Sequence, residues 1–321
     1  MLLFGPTASG KTELLRGLLV GGGPSIFAEV VSADSMQVYR GMDIGTAKPS
    51  PEFLRTVPHH LIDIRDPREQ FNAGDFVRLA DGACRDIHSR GNIPILSGGT
   101  GFYLKNFVLG LPEAPPSDPA TRERLKADLE AGGVEPLLRE LELADPVSAR
   151  RIHPNDTYRL LRALEVYRSS GRPLSSFSSA GAPPGGSGAS GRPAYRFLLV
   201  ALQRNREDLY RRIDLRTRDM FSRGLAAEAA DLVESGYGPQ DPGMRAIGYK
   251  EFFELPEEDL RHPSSAQLES LMVLVARNSR RYAKRQILYF SGLPDVHRLD
   301  LGDDPSRDSA ALRKLLIGFL P

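Results

Sequence analysis

The chain has 321 residues, 40% hydrophobic and 26% charged, with a net charge of +1. That apolar share excludes disorder of the whole and leaves room for one large domain or two modest ones. One cysteine, Cys84, excludes an intramolecular disulfide and a cysteine-built zinc site, and no run approaches the ~20 apolar residues of a bilayer span.

The first expected element is a very short strand, Met1–Phe4. It meets Gly5 too soon for a signal peptide, so a soluble protein of the reducing cytoplasm is expected. Next comes Gly5-Pro6-Thr7-Ala8-Ser9-Gly10-Lys11-Thr12, then a helix over about 11–19 that Gly21-Gly22-Gly23-Pro24 stops. The loop matches G-x-x-x-x-G-K-[ST] between a strand and a helix. Its glycines let backbone amides face phosphate oxygens. Lys11 brings a cation to the terminal phosphates, and the Thr12 hydroxyl suits Mg²⁺. All eight residues are therefore candidate diphosphate ligands. The motif specifies neither the ligand nor the reaction. No Asn-Lys-x-Asp guanine signature is present, and no strongly apolar strand ends in Asp-Glu, so a GTP switch or ATP hydrolysis gains no support.

Phe27–Ser32 reads as a buried strand leading to Asp34, beyond a strand end where α/β sheets place ligands. A helix is expected over about 72–90 and a strand over Ile93–Ser97, leading to Gly98-Gly99. Strands alternating with helices predict a parallel α/β sheet with flanking helices, of the P-loop NTPase type. Residues 112–119, rich in Pro and Ser, read as a boundary. Segments 120–145 and 155–170 have helical spacing without clear strands, and 178–193 is a Gly/Ser/Pro/Ala tract read as a linker or loop. Strand signals return at Tyr195–Leu202, before helices over about 205–235 and 264–290. The expected organisation is a core of 1–112 and 195–321 with a helical insertion at 113–194. The tail after Pro305 carries little signal.

Charge is segregated. Residues 150–172 hold six arginines against two acids, 204–223 hold seven against four, and 277–285 hold five basic residues and no acid. Arg277, Arg280, Arg281, Lys284 and Arg285 recur at i, i+3, i+4, i+7, i+8, so one helical face is almost wholly cationic. Such a face suits the phosphates of a polyanion, although solvated helix surfaces also carry arginine. His59 and His60 would point to opposite faces of a strand and chelate a metal poorly, which favours hydrogen-bonding roles.

After the second strand the chain reads Asp34-Ser35-Met36-Gln37-Val38-Tyr39-Arg40-Gly41-Met42-Asp43-Ile44-Gly45-Thr46-Ala47-Lys48-Pro49. With the phosphate loop, this stretch resembles the bacterial tRNA dimethylallyltransferases of the IPP transferase family. Further matching blocks are His59-His60-Leu61-Ile62-Asp63, Gly98-Gly99-Thr100-Gly101-Phe102-Tyr103 and His153-Pro154-Asn155-Asp156 continuing to Glu165. Then follow Ala246-Ile247-Gly248-Tyr249-Lys250-Glu251 and Ala283-Lys284-Arg285-Gln286. They run in order over about residues 5–290. The eukaryotic members often carry a C-terminal zinc finger, which a chain with one cysteine cannot build. The tract at 178–193 is longer and richer in glycine than the family pattern.

The resemblance implies transfer of the dimethylallyl group of dimethylallyl diphosphate to N6 of the adenosine beside the anticodon, with Mg²⁺ at Thr12. The phosphate loop then holds a prenyl donor, which accounts for the missing ATPase and GTPase features. By resemblance Asp34 is the general base and Thr100 orients the amine, while Lys11 and Arg216 stabilise the leaving diphosphate. The plain alternatives are an Asp-capped turn, a helix N-cap at Thr100, and an ion pair of Arg216 with Asp214 or Asp219. The tRNA contacts carried over are Asp34, Ser35, Met36, Gln37, Thr100, Arg122, Tyr158, Arg159, Leu160, Leu161 and Arg162. To these belong Arg245, Ala246, Ile247, Gly248, Tyr249 and Lys250, and then Ser279, Arg280, Arg281, Tyr282, Ala283, Lys284, Arg285 and Gln286. A monomer is expected, without a membrane partner. Three other readings stand beside this one: prenyl transfer to a free adenine nucleotide, a P-loop small-molecule kinase, and a non-catalytic RNA-binding protein. The insertion and the cationic helix argue against the first. No adenine pocket or acceptor site supports the second, and the presence of Lys11, Thr12, Asp34 and Thr100 disfavours the third.

Overall fold

The computed structural model describes all residues except 22–25, 112–113, 178–194, 291–292, 294 and 321. The tract expected at 178–193, most of the Gly-Pro stop at 21–24 and part of the boundary at 112–119 lie outside the described residues. The chain forms two compact units, one of Met1–Val108 with Ala189–Pro321, the other of Leu109–Gly188.

The larger unit is built on β1 (Leu2–Phe4), α1 (Lys11–Leu19), β2 (Ala28–Ser32), α2 (Pro51–Thr56), β3 (His59–His60), α3 (Ala73–Ser89), β4 (Ile93–Gly98) and α4 (Gly101–Leu109). The six-stranded sheet, completed by β5 (Leu199–Gln203) and β6 (His297–Asp300), has the order β3-β2-β4-β1-β5-β6 and is parallel throughout. β1 is only three residues long, yet it lies in the middle. Leu2, Leu3 and Phe4 are all buried, as a strand covered on both faces by helices requires. The ends of β1, β2, β4 and β5 lead into Gly5, Ala33, Gly99 and Arg204, so four loops gather at one sheet edge.

Around the sheet, α1 turns Leu14, Leu15 and Leu18 inward, against Val30, Ile95 and Val200. α3 starts with a capping box between Asn72 and Asp75. Phe27, expected in the second strand, is 72% exposed and the strand begins at Ala28. The helix expected over 205–235 is two, α9 (Arg206–Ser222) and α10 (Leu225–Glu234), because Gly224 between them has φ +100°. Tyr195 and Phe197, expected in a strand, precede β5 and pack their rings on Phe107. α11 (Ser265–Phe290) matches its expected span. β6 and α12 (Pro305–Phe319) were not foreseen. β6 is a polar edge strand, and α12 buries Leu312 and Leu316 in the core beside α1. Its start is marked by Asp304, whose side chain accepts from Ser306 N and Arg307 N, and by Pro305 at the first turn.

In the smaller unit, α5 (Pro119–Gly132), α6 (Val134–Ala144), α7 (Pro146–Arg151) and α8 (Thr157–Ser170) enclose Leu125, Leu137, Leu141, Leu160, Leu161 and Leu164. The buried Glu165 carboxylate accepts from Ser117 Oγ (2.5 Å), Asp118 N (2.7 Å) and Arg122 (2.9 Å), and pairs with Arg162 (3.3 Å). Four of the contacts carried over lie in these packing and ion-pair networks. Leu160 and Leu161 are core residues, while Arg122 and Arg162 are spent on an internal ion cluster. Tyr158 and Arg159 remain exposed.

Candidate active site

β1 ends at Phe4 and the chain turns immediately into the phosphate loop. The turn requires positive φ at Ala8 (61°) and Gly10 (102°), after which α1 begins at Lys11. Two arginines hold the outside of the loop. Arg204 Nε donates to Ser9 O (2.8 Å), and Arg212 Nε donates to Ala8 O (3.0 Å). Their remaining charge is balanced by Asp208 and Glu13 respectively. With these carbonyls engaged from outside, the amides at the α1 N-terminus form the anion-binding side. Lys11 Nζ donates to Gly5 O and Pro6 O, both at 2.9 Å, which holds the ammonium across the loop. The Thr12 side chain is exposed in the first turn.

Asp208, Arg212 and Arg216 recur every four residues of α9, one above the other on a single face. Arg216 reaches a cavity of about 270 Å³ that Thr7 and Asp34 also line. The ion pairs considered for Arg216 belong to other arginines: Asp214 pairs with Arg280, and Asp219 with Arg223. Burial lowers the Lys11 pKa to about 8; neighbouring Arg216 adds to the drop and Asp34 opposes it. Burial lowers Arg216 as well, again opposed by Asp34. Two cations and one carboxylate therefore share a weakly solvated space.

Asp34 follows β2. Its Oδ1 accepts from Met36 N (2.9 Å) and Gln37 N (3.4 Å), so the capped turn is real. The same residue lines the cavity, so turn and chemistry need not exclude each other. The end of β4 crosses close beside it. A Cβ on Gly98 would lie 2.1 Å from Ala33 O, which leaves room for glycine only. Thr100 Oγ1 accepts from Ser35 N (3.0 Å), and Thr100 N donates to Ala33 O (3.2 Å). Thr100 thus ties the two strand ends together. Gln286 is buried on α11, where its Oε1 accepts from Thr7 N and its Nε2 donates to Gly99 O, both at 2.8 Å. Expected among the tRNA contacts, it bridges the phosphate loop to the Thr100 loop. The Tyr282 phenol is pushed up to about 12, chiefly by burial and then by Asp34, with Thr100 and Gln286 opposing the rise.

Ser35, Met36, Thr46, Arg245, Ala246 and Ile247 line the cavity, as do Lys250, Ser279, Tyr282 and Arg285. The phosphate loop and most of the carried-over contacts in this unit thereby meet in one place. Tyr249 and Ala283 do not: both are fully buried in the fold. The cationic face of α11 is less uniform than its spacing predicts. Arg280 is paired with Asp214, while Arg277, Arg281, Lys284 and Arg285 are exposed, Arg285 also lining the cavity. His59 Nδ1 bonds to Val57 O and His60 Nε2 to Glu29, the hydrogen-bonding roles favoured from sequence.

A phosphate loop, a carboxylate and an arginine opening on one cavity are the features by which the chain can be compared with known proteins. The family model described as IPP transferase matches residues 37–292. The chain belongs to the IPP transferase family. A tRNA dimethylallyltransferase 2 of Geotalea uraniireducens is 44% identical over 291 residues, which cover 91% of this chain and 88% of that one. A tRNA dimethylallyltransferase of Geobacter sulfurreducens is 44% identical over 296 residues, 92% of this chain and 90% of the other. Among solved structures, the tRNA isopentenylpyrophosphate transferase of Bacillus halodurans superposes with a TM-score of 0.66 at 36% identity, over 99% of this chain and 95% of that one. A eukaryotic dimethylallyltransferase acting on tRNA gives 0.78 at 27% identity, over 100% and 79%. Motif reading missed Arg204 and Arg212, although both fall in the basic stretch 204–223. Glu228 is marked by no motif, and Glu251 stands in the matching block 246–251 without a role assigned to it.

Proposed function

We propose that the chain transfers the dimethylallyl group of dimethylallyl diphosphate to N6 of the adenosine next to the anticodon in tRNA. The observation that carries this reading is the single cavity lined by Asp34, Arg216 and the phosphate-loop residue Thr7, in a member of this family. The C1–O bond to diphosphate breaks as the N6–C1 bond forms. Charge then grows on the leaving oxygens, where the loop amides, Lys11 and Arg216 stabilise it. The N6 lone pair is delocalised into the ring, so a proton must leave as the amine attacks. Asp34 accepts it, and Thr100 with Ser35 orients the amine. The described residues offer no cluster of three His, Cys, Asp or Glu. Thr12 alone at the helix start therefore suits Mg²⁺, a cation held largely by phosphate oxygens and water. Bound there, the ion would neutralise charge on the diphosphate.

An adenine stacked in an anticodon loop must be flipped out to reach such a cavity. Single-stranded bases are read on their edges, a task that Met36, Arg245–Ile247 and Arg285 fit. Arg277, Arg281 and Lys284 then meet phosphates, as do Tyr158 and Arg159 in the helical unit, whose place in the reaction is to grip tRNA. No described helix is long and apolar enough to cross a membrane. The enzyme acts as a monomer in the cytoplasm.

Labelled dimethylallyl diphosphate supplied with bulk tRNA, with AMP, or alone tests the acceptor; label should enter tRNA only. Melting shifts test the donor. Dimethylallyl diphosphate with Mg²⁺ should stabilise the protein at concentrations where ATP does little, because an apolar slot leaves ribose hydroxyls unpaired at about 1–3 kcal/mol each. Equal stabilisation by ATP would sink the donor assignment.

A further inference from the structure

We propose that Glu228, on α10, is a positioning residue that sets the acceptor side of the cavity; this rests on the function proposed above. Its carboxylate collects three consecutive backbone amides. Oε2 accepts from Asp43 N at 3.0 Å, both oxygens accept from Ile44 N at 2.8 and 3.0 Å, and Oε1 accepts from Gly45 N at 3.1 Å. The Tyr249 hydroxyl donates to Oε1 at 2.5 Å and itself accepts from Gly45 N at 3.1 Å.

Three successive amides aimed at one point form an anion nest. The residues concerned are in no regular element, so no ladder satisfies those donors. A carboxylate does so instead, across about 185 residues of sequence. Gly45 is held to the spot by sterics too: a Cβ there would lie 2.4 Å from the Tyr249 ring.

Two walls of the cavity depend on this junction. On one side, Gly45 and Thr46 line it. Thr46 O and Ala47 O accept from Gln37 Nε2 at 3.4 and 3.2 Å, and Gln37 N rests on the Asp34 turn. On the other side, Tyr249 belongs to the turn from which Arg245, Ala246 and Ile247 reach the cavity. Glu251 secures the same turn by accepting from Gly248 N (2.8 Å) and Asn278 Nδ2 (2.7 Å). None of these bonds touches Gly5–Thr12. Glu228 therefore bears on how the adenosine is held and leaves the diphosphate cradle alone.

Glu228→Gln in the full chain tests this. The side chain keeps its shape, but its NH₂ group faces backbone N–H donors. Amide hydrogen exchange should rise about tenfold at Asp43–Gly45 and in the 245–250 turn, with the rest of the chain unchanged. The KM for tRNA should rise about 10- to 100-fold, with the KM for dimethylallyl diphosphate within about twofold, while the unpaired amides lower Tm modestly. Tyr249→Phe, which removes only the hydroxyl, should move the same quantities less, and stands in if Glu228→Gln does not fold. Unchanged exchange and unchanged tRNA KM overturn the proposal. So does a joint rise of both KM values, which is what general loosening produces. A wild type that prenylates no tRNA refutes the function itself. Wild-type transfer with unaltered exchange in Glu228→Gln refutes only the positioning.

Discussion

Asp34 holds a turn and faces the cavity at once, so Asp34→Ala would confound the two roles. Asp34→Asn separates them. Its Oδ1 still accepts from Met36 N and Gln37 N, while the amide cannot take a proton. Turnover should fall about 10²–10⁴-fold with the donor-induced melting shift retained. Transfer within a few fold of wild type would mean that another group receives the proton. Lys11 supports a second expectation. Its pKa of about 8 lies below that of a free lysine, so below about pH 8 it is a cation that favours diphosphate, and it loses that charge as pH rises. Affinity for dimethylallyl diphosphate should be level below about pH 7, about halved near pH 8 and roughly tenfold weaker by pH 9. Lys11→Ala should bind weakly throughout, without the step. Both residues were legible in sequence because the loop motif and the strand-end Asp are local. The turn that Asp34 caps was also legible, as a rival to its chemistry; the structure has both.

The helix α11 was read as one cationic stripe. Tertiary packing divides it into a paired arginine and an exposed set, whose Arg285 also lines the cavity, because α9 lies alongside and offers Asp214. Only the exposed set is free to meet phosphates by this reading. Glutamate at Arg277, Arg281 and Lys284 should weaken tRNA binding and lower the salt slope by roughly one, or somewhat less, per lost contact. Donor binding should not change. Filter binding across a salt series reads this, and an unaltered slope returns the face to ordinary solvated surface. In α8 the outcome was harsher. The run Tyr158–Arg162 alternates exposed and buried positions at helical period, so Leu160 and Leu161 had to turn inward once α5 and α6 packed on that side.

The sheet as a whole is held at the end opposite the cavity by one buried carboxylate. Glu29 on β2 bonds with Arg90, Asn92 and His60, linking β2 to β3 and to the approach to β4. Arg90 does most to bring its pKa down to about 2; burial opposes, and Asn92 and His60 add to the drop. A folded pKa below the unfolded value means stability that is fully present above about pH 4.5 and is lost as pH falls toward 2. Glu29→Gln should therefore be less stable than wild type at pH 7 by about 1.5–3 kcal/mol, with the two converging as pH falls through that window. Chemical denaturation at a series of pH values measures it. Prenyl transfer by the folded variant should be unchanged, since Glu29 lies at the opposite end of β2 from Asp34.

Local patterns in the chain were enough to establish the α/β class, the phosphate loop, Asp34 and Thr100 at strand ends, and the family. Each of these needs only neighbours within a few residues, or a short block that matches. β6 lacked such a signature, being a polar edge strand; α12 has a local start signal in Asp304-Pro305, but its two buried leucines gain their place in the core only when α1 is set against it. The braces Arg204 and Arg212, the bridge Gln286 and the junction at Glu228 are contacts between segments about 185 to 280 residues apart. An arginine or a carboxylate on a helix reads the same in sequence whether it meets water or a backbone. Folding determined its partner, because every amide and carbonyl that burial removes from water needs one.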